Sequence, residues 1–338
     1  MITGEEALLT SFKNKSKHFS ARLEGKNSAG FRMLNNALCP VDFMPKFSIA
    51  RDNLFYTTGS CFAREIEFSL DLQGIKRTNY HAFPYDFFDK NHKGIPERSE
   101  TLNLKNNSWA MSPMNRYSPA SMKFDLERVF KYPEIEPDTF IPISDGLVFD
   151  PQLKNLKLGD QDFASQARSI LNASIKSITK ADVIIMTLGM TESWFDDYNQ
   201  TVLPVSPSPW LIKRFPNRFK FFNSSLEEVL QDLVDFRQLC KINVAKDIKI
   251  IVTVSPIPLG TTFTSKDVVV ANEISKTVLR LAADRFTNDY DDVDYFPSYE
   301  MVRYSSGKIW EPDMVHLSEI YVQEIVNRFL DAYGFRIN

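Results

Sequence analysis

The sequence predicts an α/β fold: a three-layer α/β/α sandwich with helices on both faces of a mainly parallel central sheet. Three observations predict it. Residues 54–58, 183–188 and 248–254 are almost continuously apolar and β-branched, as strands buried on both faces are. Each run stops at a turn signal: Gly59-Ser60, Gly189 and Ser255-Pro256. Stretches with helical spacing of apolar residues lie between the runs, and strands that alternate with helices make parallel sheets. In such sheets ligands sit beyond the carboxyl ends of the strands. The three turns, far apart in sequence, are therefore expected at one edge.

The elements follow in order. Residues 1–50 read as an arm or connector ahead of one domain over 51–338. Lys13, Lys15, Lys17, Arg22 and Lys26 give the arm a basic, solvated face. The first strand leads through Gly59-Ser60 into a helix with Phe62, Ala63, Ile66 and Leu70 at helical spacing and Gly74 as its stop. A second strand is expected over 75–80. The stretch 84–160 is irregular and proline-rich and reads as a cap insertion beside the site. A structureless loop of that length is foreign to a compact domain. A helix over 119–130 and a hairpin over 141–158, turning at Asp145-Gly146, are therefore expected within it. Phe163, Ala167, Ile170, Leu171, Ile175 and Ile178 mark the next helix, ahead of the strand over 183–188. Ser225 and Glu228 have capping-box spacing and open a helix over 225–245. After the strand over 248–254 come a helix over 270–286, a short strand over 293–296 and an amphipathic helix over 317–333.

Composition sets the class. The chain has 338 residues, 43% hydrophobic and 25% charged, with a formal charge of -3, which is ordinary for a globular protein. That charge gives no global argument for nucleic-acid or membrane binding. Cys39, Cys61 and Cys240 are odd in number and widely spaced, so no disulfide framework or zinc pattern emerges, and no metal is expected. The first residues lack a basic region followed by an apolar core, and no run approaches the roughly 18 apolar residues of a membrane helix. A cytoplasmic bacterial protein is expected, with peripheral association with a membrane assembly left open. The oligomeric state is not fixed by the sequence.

The strand–turn–helix at Gly59-Ser60 would lift a small nucleophile to the sheet edge and give it the positive end of a helix. Ser60 as a simple helix cap is the plainer use of the same residue. Gly59-Ser60-Cys61-Phe62-Ala63 spells the signature of the GSCFA family. Residues 187–194 (Thr-Leu-Gly-Met-Thr-Glu-Ser-Trp), 253–259 (Thr-Val-Ser-Pro-Ile-Pro-Leu) and 293–300 (Val-Asp-Tyr-Phe-Pro-Ser-Tyr-Glu) also resemble it, in the family's order. The chain thus resembles GSCFA proteins over roughly residues 50–305, and the family looks like a divergent branch of the SGNH/GDSL hydrolases, with an SGNH/flavodoxin-like sandwich.

That resemblance implies a chemistry. Ser60 would be the nucleophile, and the late Asp313-Met314-Val315-His316 would supply His316 as general base and Asp313 as the group that orients it. An ordinary helix-start His with a capping Asp is the structural reading. The N–H groups of Ser60 and Gly189 are expected as oxyanion donors. SGNH enzymes carry Gly-x-Asn-Asp where this chain reads Gly189-Met190-Thr191-Glu192. Thr191 would then donate in place of Asn, whereas Glu192 cannot donate when ionised and could pair with Arg64. Trp194 would wall the pocket or pack in the core. Cys61 is the rival nucleophile, since a thiol at a helix N-terminus can be activated. The implied activity is a serine esterase or O-acyltransferase acting on an acylated glycan or polysaccharide, such as a capsule, through an acyl-Ser60 intermediate. It needs no cofactor, or an acyl-CoA-type donor if it is a transferase. A non-catalytic glycan-binding or assembly protein with the same fold is the second expectation. A metal-dependent hydrolase using Asp313, His316 and Glu192 lacks a paired-ligand motif.

One further stretch stands out. Residues 210–222 contain Lys213, Arg214, Arg218 and Lys220 among aromatics, with no acid. Such residues can bind anions and stack on rings, which suits a nucleotide-like donor, a sugar nucleotide or an anionic lipid surface. A basic solvated strand face is the structural reading. A single-stranded nucleic-acid platform would use similar residues, but the chain is not basic overall, so no nucleic acid is expected.

Overall fold

The computed structural model describes residues 1–23, 25–79, 83–88 and 112–334. In chain order the elements are α1 (Gly4–Lys13), α2 (Ala29–Asn35), β1 (Phe55–Gly59), α3 (Cys61–Leu72), α4 (Pro119–Lys131), β2 (Ile141–Ser144), β3 (Leu147–Phe149), α5 (Gln161–Lys176), β4 (Val183–Leu188), β5 (Glu192–Asp196), β6 (Thr201–Leu203), α6 (Pro209–Arg214), β7 (Phe219–Asn223), α7 (Leu226–Asn243), β8 (Lys249–Val254), α8 (Val268–Asp289), β9 (Val293–Tyr295), α9 (Ser298–Arg303) and α10 (Glu319–Ala332).

The central sheet has the order β1-β4-β8-β9, and every pairing is parallel. Its side chains divide by the two-residue period of a strand. Ile184, Met186, Leu188, Ile250, Val252 and Val254 pack on one face with Leu126 of α4, Leu171 of α5, Leu233 of α7 and Leu279 of α8. Val183, Ile185 and Ile251 face the other way, toward Ile66 and Leu70 of α3, Met301 of α9 and Ile325 and Phe329 of α10. Both faces are therefore covered, which is why these strands read as unbroken apolar runs. Each such fully buried side chain contributes about 1.5–3 kcal/mol.

Most expected elements are present, with two differences. The segment expected as a strand over 75–80 forms only one bridge, Arg77 to Phe55, with the Phe55 and Thr78 N–H groups bonded across it. Its last residue, Tyr80, lies outside the described residues, as do residues 89–111 of the expected cap. Within the described part of the cap, α4 and the β2–β3 hairpin form as expected. Asp145 and Gly146 take φ of 47° and 75°, the left-handed pair that a two-residue hairpin turn requires. The second difference is an antiparallel sheet, β6-β5-β7, inserted between β4 and α7. It carries the basic stretch, which is split into the short helix α6 and the strand β7. Leu38 and Ile49 are buried in the second core, so the end of the arm packs on the domain, while α1 buries no side chain. Among the described residues no helix is long and apolar enough to cross a membrane.

Candidate active site

The site lies at the carboxyl edge of the central sheet. Gly59 pairs with Thr187 and Leu188 with Val254, so the ends of β1, β4 and β8 stand side by side. Gly59 takes φ of 146°, and a Cβ there would lie 2.6 Å from the Thr187 carbonyl oxygen. Only glycine allows this close approach. Residues 112–118 cross over the edge. The Arg116 N–H donates to Gly59 O at 2.8 Å, and Tyr117 O accepts from both the Gly189 and Met190 N–H groups at 2.9 Å.

Ser60 is the N-cap of α3, as its plainer reading has it. Its Oγ accepts from the Phe62 N–H at 3.4 Å and donates to Ser255 Oγ at 3.3 Å. Its N–H donates to Thr187 Oγ1 at 3.2 Å. The capping geometry draws the Ser60 hydroxyl back over the first turn of the helix. The next residue, Cys61, is half-buried and stands near enough to His316 to raise its pKa.

The His316 turn is held by its aspartate. Asp313 Oδ1 accepts from the Val315 and His316 N–H groups, both at 2.9 Å, and Asp313 Oδ2 meets His316 Nδ1 at 2.7 Å. Met314 takes φ of 56°, which closes the turn, and the Glu311 N–H bonds to His316 O at 2.8 Å. Asp313 thereby fixes the imidazole so that Nε2 is left for Cys61. The hydrogen bond to Cys61, and after it the bond to Asp313, raises the His316 pKa to about 9 against partial burial. The His316 hydrogen bond, with the two backbone N–H groups behind it, holds the Asp313 carboxyl well below the usual carboxylate range. Asp313 and His316 are thus paired as expected, with Cys61 acting on the His316 charge and no hydrogen bond from His316 to Ser60 among the described residues.

The expected oxyanion donors are engaged elsewhere. The Gly189 N–H is taken by Tyr117 O and the Ser60 N–H by Thr187. The Thr191 hydroxyl donates to Asn223 Oδ1 at 2.6 Å. Glu192 accepts from Thr262 Oγ1 at 2.5 Å and the Phe263 N–H at 2.8 Å, which ties down the loop after β8. It does not pair with Arg64, which is buried beneath the sheet edge with Glu67 at 2.9 Å. Among the described residues no three His, Cys, Asp or Glu side chains converge as metal ligands. The Cys61 N–H, the first of α3, has no acceptor among the described residues, and it lies at the positive end of the helix.

A cavity of about 380 Å³ opens beside Ser60, lined among others by Lys154, Gly189, Trp194, Ser255 and Phe263. Trp194 walls it, with Phe263 edge-on at 5.0 Å and Phe221 at 5.5 Å. Beneath it lies a residue the sequence analysis passed over. Lys276 of α8 is 1% exposed, and its Nζ donates to Gly189 O, Ser255 O and Ile257 O, each at 2.7 Å. One ammonium thus ties the ends of β4 and β8 together with all three of its protons. Burial pushes the Lys276 pKa down to about 7, with Cys61 and Glu273 acting in the opposite direction. A signal was available: Lys276 falls three and seven residues before the buried Leu279 and Ala283, on the apolar stripe of its helix.

The basic stretch is neutralised from β5. Arg218 forms a two-nitrogen pair with Asp196, at 2.8 to 3.0 Å, and lies 4.9 Å over the Tyr198 ring. Lys220 pairs with Asp197 at 2.7 Å, and Arg214 donates to Ile143 O. Of the four basic residues, Lys213 alone has no described partner and is exposed. The acids that the stretch lacks in sequence are supplied across the β5–β7 register.

Comparison with curated proteins and with solved structures finds no match. The model of the GSCFA family matches residues 54–329, which span β1, the Ser60–Cys61 turn, the whole central sheet, His316 and most of α10. The chain therefore belongs to the GSCFA family.

Proposed function

We propose that this protein is an acyl-transferring enzyme in which Cys61 is the nucleophile, His316 its proton partner and Asp313 the group that orients His316. One observation carries this reading: Asp313 holds His316 Nδ1 at 2.7 Å, and Cys61 stands near enough to raise the His316 pKa. A pKa of about 9 keeps His316 largely charged at neutral pH, which suits an imidazolium beside a thiolate. In the first step the Cys61 sulfur adds to an ester or thioester carbonyl. The carbonyl oxygen takes up negative charge near the free Cys61 N–H and the start of α3. The adduct collapses to a thioester on Cys61, and the leaving alcohol or thiol takes its proton from His316. In the second step water, or an acceptor hydroxyl, gives its proton back to His316 and attacks the thioester. Water yields hydrolysis; a sugar hydroxyl yields O-acyl transfer. An acylated glycan as substrate is what the likeness to SGNH hydrolases implies. Ser60 then serves as the cap that aims Cys61.

A second reading keeps Ser60 as nucleophile, favoured by its place on the cavity wall beside Ser255. Peptide mapping after exposure to p-nitrophenyl acetate separates the two. An acetyl group on Cys61, absent from Cys61→Ala and retained in Ser60→Ala, is expected. An acyl or fluorophosphonate adduct on Ser60 overturns the thiol mechanism. No adduct on either residue of folded protein points to a glycan-binding role without catalysis.

A further inference from the structure

The cavity wall holds polar groups that the protein itself leaves without partners. Lys154 lines the cavity and, among the described residues, has no carboxylate or carbonyl partner. Lys154 is exposed, and desolvation by the wall around it lowers its pKa below the ordinary lysine value. The Trp194 Nε1–H is buried with no acceptor. Ser193, which also lines the cavity and is 4% exposed, has a buried Oγ without a partner. The Trp194 and Ser193 atoms are sealed from solvent behind the wall, so of these three groups only Lys154 is open to a ligand. Glu192, the one carboxylate on the described lining, has both oxygens engaged by Thr262 and Phe263. Lys276 has its three protons on carbonyls. Lys154 is thus the cation on this wall left for a ligand.

The wall also has shape. Trp194 and Phe263 meet at 88°, and Leu203, Ile257 and Leu259 add aliphatic surface. Cys61 is close enough to act on the Lys154 charge, so a group held by Lys154 stays near the proposed nucleophile. The geometry points to an anion subsite at Lys154: the substrate carries a carboxylate or phosphate that pairs with Lys154, and an apolar or ring portion that packs on Trp194 and Phe263. This names the substrate class of the site proposed above and rests on that reading for its place in a reaction, though not for binding itself. Lys154 acts here as a specificity residue: it selects an anionic substrate over a neutral one of the same shape.

The test is a titration of the full chain with three probes, 3-phenylpropionate, 3-phenylpropionamide and phenethyl phosphate, followed by calorimetry. Both anions are expected to bind about tenfold or more tightly than the amide. Lys154→Gln should remove that advantage and leave the amide affinity unchanged, with an unaltered circular dichroism spectrum. The ratio between the two anions tells which headgroup the site prefers. The same preference is expected in Cys61→Ala, so failure of Cys61 to accept an acyl group would sink the mechanism and leave the subsite standing. Equal binding of acid and amide, an anion preference that survives Lys154→Gln, or no saturable binding of any probe overturns the subsite.

Discussion

The carboxyl edge of the central sheet and the β5–β7 annex are both rich in charged and aromatic residues, yet they use them in opposite ways. In the annex, Arg218 rests on the fully buried Asp196, and Lys220 on Asp197. Charge there fastens one strand to the next. At the edge, Lys154 lines the cavity, and Cys61 acts on the charges of both Lys154 and His316. Lys276 and Glu192 are consumed by structure there, Lys276 by three carbonyls and Glu192 by Thr262 and Phe263. Charge density along a sequence therefore does not mark a site. What marks it is whether the fold supplies a partner, and the acids of β5 lie in register with the basic strand.

The contrast can be broken by substitution. Arg218→Ala should have the largest effect on stability, about 3–5 kcal/mol, because it leaves Asp196 charged and buried. Urea unfolding measures it, and probe binding at the cavity should not change in the fraction that remains folded. A loss below about 1 kcal/mol would mean that the annex pair behaves as a surface pair. Gly59→Ala comes next, at about 3 kcal/mol, since it combines a positive φ with a collision against Thr187. The same unfolding experiment reads it; near-wild-type stability would show that the edge can relax.

The smallest expected effect sharpens the role of Lys276. Its folded pKa of about 7 lies below the ordinary lysine value of about 10.4. Between these values the unfolded chain binds more protons, so this residue makes stability rise with pH, by at most about 1.4 kcal/mol per pH unit. His316 acts in the opposite sense. Its contribution is present below about pH 6.5 and fades as pH rises through about 9, and its exposure weakens it. Comparing wild type with Lys276→Met over pH 7 to 10 isolates the lysine. Equal slopes in the two proteins would contradict the burial argument.

Much of the fold was legible because strands buried on both faces announce themselves in composition. The runs at β1, β4 and β8 alternate between two cores, and their buried polar members are threonines: Thr57, Thr58, Thr187 and Thr253. Asp313 and His316 were also legible, since three residues suffice to bring them together. The choice between Ser60 and Cys61 was not. It depends on which of two neighbours turns back to cap α3, a rotation of one residue that composition does not record. The partners of Gly189 and Thr191 were hidden for a different reason. Tyr117 and Asn223 reach them from distant parts of the chain. The annex was hidden because its acids and bases lie on different strands, about 20 residues apart.

The central claim is that His316 and Asp313 act on Cys61. Its most direct test is the rate of Cys61 alkylation by iodoacetamide at pH 7, read by peptide mass in wild type, His316→Ala and Ser60→Ala. Cys39 and Cys240 are buried and serve as slow internal references. The account predicts that Cys61 reacts first in wild type, that His316→Ala slows it by about tenfold or more, and that Ser60→Ala leaves it the fastest of the three. A Cys61 rate unmoved by His316→Ala would contradict the account.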